Sequence, residues 1–271
     1  MVVKQDERPI GIFDSGVGGL TVARAVIDLL PHEDLIYFGD TAHLPYGPRP
    51  PDEIRKFALE IMDGLVAEDV KMLVIACNAA SSTALEEARA RYRVPIVSVI
   101  EPGVRAAAAA TRSGRVGLIG TEVTVASRSY DRAMAAVRPD IILIGSACPA
   151  FVDFVERGDT TSEELVRIAE DYLRPLQQAG VDTLILGCTH YPLLSGVIQY
   201  VMGEEVVLVS SAEVTAKEVY AQLRERDALG DVAEPGNHRF VASSEGYFSE
   251  LGRRFLGPEF GEVEYRPWDR A

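Results

Sequence analysis

Cys77 and Cys188 each close a short apolar run and open a polar turn. One reads Ala76-Cys77-Asn78-Ala79-Ala80-Ser81-Ser82-Thr83, the other Gly187-Cys188-Thr189-His190-Tyr191-Pro192. A thiol at the carboxyl end of a buried strand, just before a helix start, meets backbone N–H groups and a positive dipole end, which lower its pKa. A single cysteine of this kind reads as ordinary packing, because free cysteine is among the most buried residue types. A matched pair asks for chemistry. The third cysteine, Cys148 in Ser146-Ala147-Cys148-Pro149, has no counterpart and reads as packing.

Four chemistries use a cysteine in such a place. Metal binding is disfavoured, with no Cys-x-x-Cys or His-x-x-x-His spacing and only Cys188 and His190 close together. Hydrolysis by a Cys188 nucleophile that His190 activates leaves Cys77 unused. A redox couple needs adjacent sulfurs, a condition the spacing leaves open. Proton transfer at one carbon uses both thiols: one removes a proton from one face while the other supplies a proton to the opposite face. The proton beside a carboxylate is weakly acidic, so such a site must aim donors at developing negative charge and exclude water. Candidate polar groups are Asp14, Ser15 and Asn78 near the first thiol, and Thr121, Thr189 and His190 near the second.

The elements that must position these residues follow from periodicity. Short, mostly apolar runs at 10–13, 35–38, 72–76, 96–99, 116–119, 141–144, 183–186 and 206–209 predict parallel strands covered on both faces. Between them lie amphipathic helices with legible ends. Pro51 opens one, Thr83/Glu86 and Thr161/Glu164 have capping-box spacing, Gly180 closes a helix over 162–179, and the alanine run 106–110 is a strong helix former. The class is α/β, with ligands expected at the carboxyl edges of the strands. The chain also repeats itself: Ile12 and Leu118 lie 106 residues apart in similar strand-and-turn segments, and 111 residues separate both Cys77 from Cys188 and Val97 from Leu208. That period predicts two similar α/β units. The helix over 215–226 and a strand near 239–241 are too little for a third domain and are expected to return to the first unit. The domains are then 1–98 plus 210–271, and 99–209.

With 271 residues, 47% hydrophobic and 25% charged, the chain is globular rather than disordered or fibrous. A net charge of −14 argues against a nucleic-acid or acidic-membrane surface, though not against a small anionic substrate held by local donors. An odd number of scattered cysteines is no disulfide framework. The first eight residues lack the apolar core of a signal peptide, and no stretch approaches 18 apolar residues, so a cytoplasmic protein with reduced thiols is expected.

Three further segments are candidates. The turn Asp14-Ser15-Gly16-Val17-Gly18-Gly19 has Thr21 where a dinucleotide motif needs its third glycine and no phosphate-loop lysine; it reads as an anion-binding turn or an ordinary tight one. Asp40-Thr41-Ala42-His43-Leu44-Pro45-Tyr46-Gly47-Pro48 reads as a substrate loop or a connection. Glu156 stands in a segment following the sixth strand.

Taken together, these segments resemble the bacterial glutamate racemases of the aspartate/glutamate racemase superfamily. The likeness spans about 10–212 and rests on Gly11 through Val22, Gly39-Asp40-Thr41 with Pro45-Tyr46-Gly47, Ala76-Cys77-Asn78, the segment 151–158, and Gly187 through Leu193. It implies two pseudo-symmetric α/β domains with a site in the cleft between them, a homodimer, and interconversion of L- and D-glutamate for peptidoglycan without cofactor or metal. It further implies that Cys77 acts as base on the D-isomer and Cys188 on the L-isomer. Asp14 would assist Cys77, His190 would assist Cys188, and Glu156 would be a further ionisable aid. Substrate contacts would come from Asp14, Ser15, Asp40, Pro45, Tyr46, Gly47, Asn78, Ala79, Thr121, Thr189, His190 and the two thiols. Ala79 departs from the Thr or Ser common in the family; its N–H remains, but a hydroxyl bond is lost. The alternatives are a racemase for aspartate or another acidic compound, and a non-catalytic effector-binding protein on the same scaffold.

Overall fold

In the computed structural model, which describes residues 6–231, 234–246, 248–257 and 260–267, the predicted strands form two separate parallel sheets. The first contains β1 (Ile10–Asp14), β2 (Leu35–Gly39), β3 (Met72–Ile75) and β4 (Ile96–Ser98). The second contains β5 (Arg115–Gly120), β6 (Ile142–Ala147), β7 (Thr183–Gly187) and β8 (Val207–Ser210). Late in the chain, β9 (His238–Ala242) and β10 (Val263–Tyr265) extend the first sheet, giving orders β10-β9-β2-β1-β3-β4 and β6-β5-β7-β8. The four strands of each repeat are thus ordered alike, second-first-third-fourth, and every pairing is parallel.

Period-two alternation sorts each sheet's apolar side chains into two layers. Ile10, Ile12, Tyr37 and Met72 face one way and Phe13, Ile36, Phe38 and Leu73 the other. In the second sheet Ile119, Leu184 and Leu186 oppose Val116, Leu118 and Ile185. Helix Ile100–Ala110, which carries the alanine run, packs on the second sheet through Ile100, Val104, Ala107 and Ala108. The tail helix runs over Ser211–Glu225 and packs through Ala216, Val219 and Leu223 into the core of the first sheet, beside helix Leu20–Leu29. No helix among the described residues is long and apolar enough to cross a membrane.

Several local expectations needed correction. Thr83 does not cap a helix; it lies inside helix Asn78–Arg91, and its hydroxyl donates back to Ala79 O at 3.0 Å. The cap is Cys77 itself, because the buried strand passes straight into the helix. At the second box the cap is Ser162, whose Oγ accepts from Leu165 N at 3.1 Å, one residue after Thr161. Pro51 and Gly180 act as expected, the latter with φ +68°. β6 and β8, the outer strands of their sheet, are only partly buried rather than covered on both faces. Helix Phe248–Leu256 and β10 escaped the sequence reading; β10 is short and mostly exposed, so apolar periodicity had nothing to register.

The residue preceding β3 and its counterpart preceding β7 both anchor their strands with charge, but of opposite sign. Lys71 Nζ lies 2.5 Å from Glu33 Oε2, with side chains 1% and 5% exposed, and donates to Asp6 O and Ala228 O. Asp182 instead accepts from Arg112 N, Ser113 N and the Thr111 hydroxyl. Removing one member of a buried pair leaves the other uncompensated. Lys71→Met is therefore expected to lower unfolding stability in urea by about 3–5 kcal/mol, and Lys71→Met with Glu33→Leu to recover most of that loss.

Candidate active site

The carboxyl ends of β1, β3, β5 and β7 converge on one narrow cavity between the sheets, of about 30 Å³. From the first-sheet side it is lined by Ser15, Leu44, Pro45, Tyr46, Gly47, Cys77, Asn78 and Ala79. From the second-sheet side it is lined by Thr121, Thr124, Val152, Gly187, Cys188, Thr189 and His190. The two thirds-in-order strands, β3 and β7, therefore deliver their thiols to one space.

Cys77 caps helix Asn78–Arg91, with Ala80 N donating to its Sγ at 3.5 Å and the thiol donating to Ser15 Oγ at 3.7 Å. Burial, followed by the negative charge of Asp14, pushes the thiol up to about 12 against the opposing pull of the Ala80 amide. The sequence-based expectation of a lowered pKa is thus reversed for Cys77, because desolvation outweighs the helix end. Cys188 is followed by a single turn of tighter helix, Tyr191–Leu194, rather than directly by an α-helix, and its Sγ lies 3.8 Å from His190 Nδ1. Burial pulls the His190 pKa down, but Cys188 and Glu156 outweigh it and raise the value from 6.5 to about 10. Glu156 ends helix Ala150–Glu156 and stands behind the imidazole, with Oε1 3.4 Å from Nε2, a charge contact rather than a directed hydrogen bond.

Asp14 is fully buried at the end of β1 and does not line the cavity. Its Oδ2 accepts from Gly16 N at 3.2 Å and Gly19 N at 2.9 Å, and Thr189 Oγ1 donates to Oδ1 at 3.4 Å. Two N–H groups of this turn, those of Gly16 and Gly19, are therefore taken by the chain's own carboxylate. Burial raises the Asp14 pKa, opposed by the charge on His190 and by those amides. Asp40 also stays out of the cavity. It accepts from Tyr46 Oη at 2.6 Å and Ser243 Oγ at 2.8 Å, with His43 Nδ1 3.0 Å away, and so holds the loop that carries Pro45, Tyr46 and Gly47. Cys148 lies outside the cavity, buried, with its thiol donating to Ser146 O at 3.6 Å. Among the described residues no group of three or more His, Cys, Asp or Glu side chains is arranged to hold a metal ion.

The sequence reading missed Leu44, Thr124, Val152 and Gly187. Of these, Thr124 had a usable signal: it follows Thr121 by three residues, and the two hydroxyls lie 3.0 Å apart.

An α/β repeat that brings one thiol from each half to a shared cavity defines an amino-acid racemase class, and the comparisons agree. The Asp/Glu/Hydantoin racemase family model matches residues 20–219, and the chain belongs to that family. It is 59% identical to the glutamate racemase of Parafrankia sp. over 263 residues, covering 96% of this chain and 94% of that protein. The solved glutamate racemase isoform from Bacillus anthracis is 36% identical with a TM-score of 0.91, covering 97% of this chain and 98% of that one. The Francisella tularensis glutamate racemase, solved in complex with D-glutamate, is 32% identical with a TM-score of 0.92, covering 98% and 100%.

A Cβ added at Gly18 would run into Thr189 Oγ1 and His190 Nδ1, whereas one added at Gly103, inside helix Ile100–Ala110, meets nothing within 4 Å. Gly18→Ala is expected to cost about 1–3 kcal/mol in chemical unfolding, while Gly103→Ala stabilises by about 0.5–1 kcal/mol. His190 binds its proton more tightly folded than unfolded. The resulting stability is complete below pH 6.5 and is lost as pH rises through about 10. Imidazole NMR should show that high pKa directly, and Glu156→Gln should lower it.

Proposed function

We propose that this protein interconverts L- and D-glutamate by acid–base catalysis with two thiols and no added cofactor. The observation that carries the reading is that Cys77 and Cys188, at corresponding strand ends of the two repeats, line a single cavity. The identity to curated glutamate racemases supports the choice of substrate.

The charge states suit a defined sequence of proton movements. At neutral pH Cys77, pushed up to about 12, stands as the thiol, and His190, raised to about 10, as the imidazolium beside Cys188. With L-glutamate as substrate, Cys188 acts as the base that takes the α-proton, and the Cys77 thiol delivers its own proton to the opposite face. D-glutamate leaves, with Cys188 now the thiol and Cys77 the thiolate. The reverse direction uses Cys77 as base on the D-isomer, where the high proton affinity that burial gives it makes it a strong base. Asp14 acts on Cys77 through its charge, and His190, backed by Glu156, steadies Cys188.

Charge that develops on the substrate needs donors that are already aimed. Asn78, Thr121 and Thr189 line the cavity, as do Ser15, Tyr46, Gly47 and Ala79. Asp40 belongs to this set as the anchor of Tyr46. A space of about 30 Å³ holds a water or two, not glutamate, so the walls must part to admit substrate and then close over it, excluding solvent. The proposal extends, on the family resemblance, to D-glutamate supply for peptidoglycan synthesis in the cytoplasm and to a homodimer.

The test is exchange of the α-hydrogen in deuterated water, with each glutamate enantiomer and, in parallel, each aspartate enantiomer. Exchange with both glutamates and far less with the aspartates is expected; folded protein that exchanges neither glutamate would defeat the proposal. Cys77→Ala and Cys188→Ala should each lower turnover by about 10²–10⁴ or more, while Cys148→Ala keeps most of it. Full activity in either of the first two variants would rule out the two-thiol mechanism.

A further inference from the structure

The amide of Asn78 has unequal partners at its two ends. Oδ1 accepts from Tyr130 Oη at 2.6 Å, while Nδ2 has no hydrogen-bond partner among the described residues, although the residue is only 3% exposed. Asn78 lines the cavity and Tyr130 does not. A buried N–H₂ without an acceptor is costly unless an incoming group supplies one. Burial pushes the Tyr130 phenol pKa up, so the hydroxyl keeps the proton that it donates to Asn78 Oδ1 in this geometry.

We infer that Tyr130 is a positioning residue for substrate binding: its O–H holds Asn78 Oδ1 back, so that both Nδ2 hydrogens face a substrate carboxylate. The two ends of an asparagine amide have nearly the same shape, and nothing else at this position tells them apart. Turned by half a rotation, the same side chain presents an oxygen to an anion, which repels it.

Tyr130 reaches Asn78 from the other half of the molecule. Its ring is fully buried with Ile100, Val104 and Leu118 at the second sheet, whereas Asn78 begins the helix that follows β3 of the first. The turn before it is also docked across the junction. Arg128 takes a left-handed φ of 58°, and Ser129 Oγ donates to Ser82 O at 3.1 Å on the same helix as Asn78. The aim of the amide therefore depends on the two halves being in contact, and only then is the donor face offered.

The inference rests on the racemase reading and is tested apart from it. Tyr130→Phe keeps the ring and loses the hydroxyl. KM for both glutamate enantiomers is expected to rise about tenfold, equivalent to about 1.4 kcal/mol, with kcat changing far less. Asn78→Ala should raise KM by itself, and adding Tyr130→Phe to it should raise KM no further. Asn78→Asp retains an acceptor for Tyr130 but turns an oxygen toward the substrate, so its KM should exceed that of Asn78→Ala. The inference is overturned by additive effects of Tyr130→Phe and Asn78→Ala, by a KM in Tyr130→Phe equal to wild type, or by an Asn78→Asp variant that binds as well as wild type. Wild-type protein that exchanges no α-hydrogen would instead overturn the racemase reading.

Discussion

At Gly18 the first half of the molecule touches the second with no side chain between them. The space a Cβ would need is occupied by Thr189 Oγ1 and His190 Nδ1, the residues that follow Cys188. That contact sets how near the two strand ends can come, and the site's electrostatics follow from it. Asp14, held by the amides of the same turn, is close enough for its charge to act on both His190 and Cys77. Thr189 bonds to Asp14 across the junction, and Thr21 donates to Gly18 O at 2.9 Å from the start of the next helix. Gly47 repeats the arrangement on the other side of the cavity, where a Cβ would press on Thr121.

The two thiols are symmetric in topology and asymmetric in surroundings. Each ends the third strand of its repeat, but Cys77 is faced by a carboxylate and Cys188 by an imidazolium. On the proposed mechanism this is the useful arrangement. Two identical thiols could share one proton, but nothing would fix which of them carries it. The enantiomers have equal free energy in water, so the asymmetry alters neither equilibrium nor the ratio of kcat/KM in the two directions.

The roles of the flanking carboxylates divide by reach. Asp40, Asp14 and Glu156 all stand outside the cavity, each behind a residue that lines it: Tyr46, Thr189 and His190 respectively. Keeping carboxyl groups one residue away from an anionic substrate avoids direct contact between like groups while still fixing the residues that meet it. A chain with a net charge of −14 must do this, because its surface offers an anion no attraction.

The alternation of apolar strands and helices, the repeat of about 106–111 residues and the paired cysteines were all legible in the sequence, because they depend on local periodicity and residue type. So were most cavity residues, since turns at the carboxyl ends of parallel strands advertise themselves through glycine, proline and polar side chains. Local pattern did not reveal the fate of charge. The thiol pKa of Cys77 runs opposite to expectation because desolvation depends on atoms contributed by distant segments. Asp14 takes the Gly16 and Gly19 amides of its own turn, and Asp40 braces a loop instead of lining the cavity. Tyr130, more than fifty positions from Asn78 in sequence, carried no signal at all. Sequence thus determined which chemistry was available and roughly where; only the tertiary structure decided which groups are protonated and which way they point, because burial and hydrogen-bond direction are set by neighbours that the chain brings together from afar.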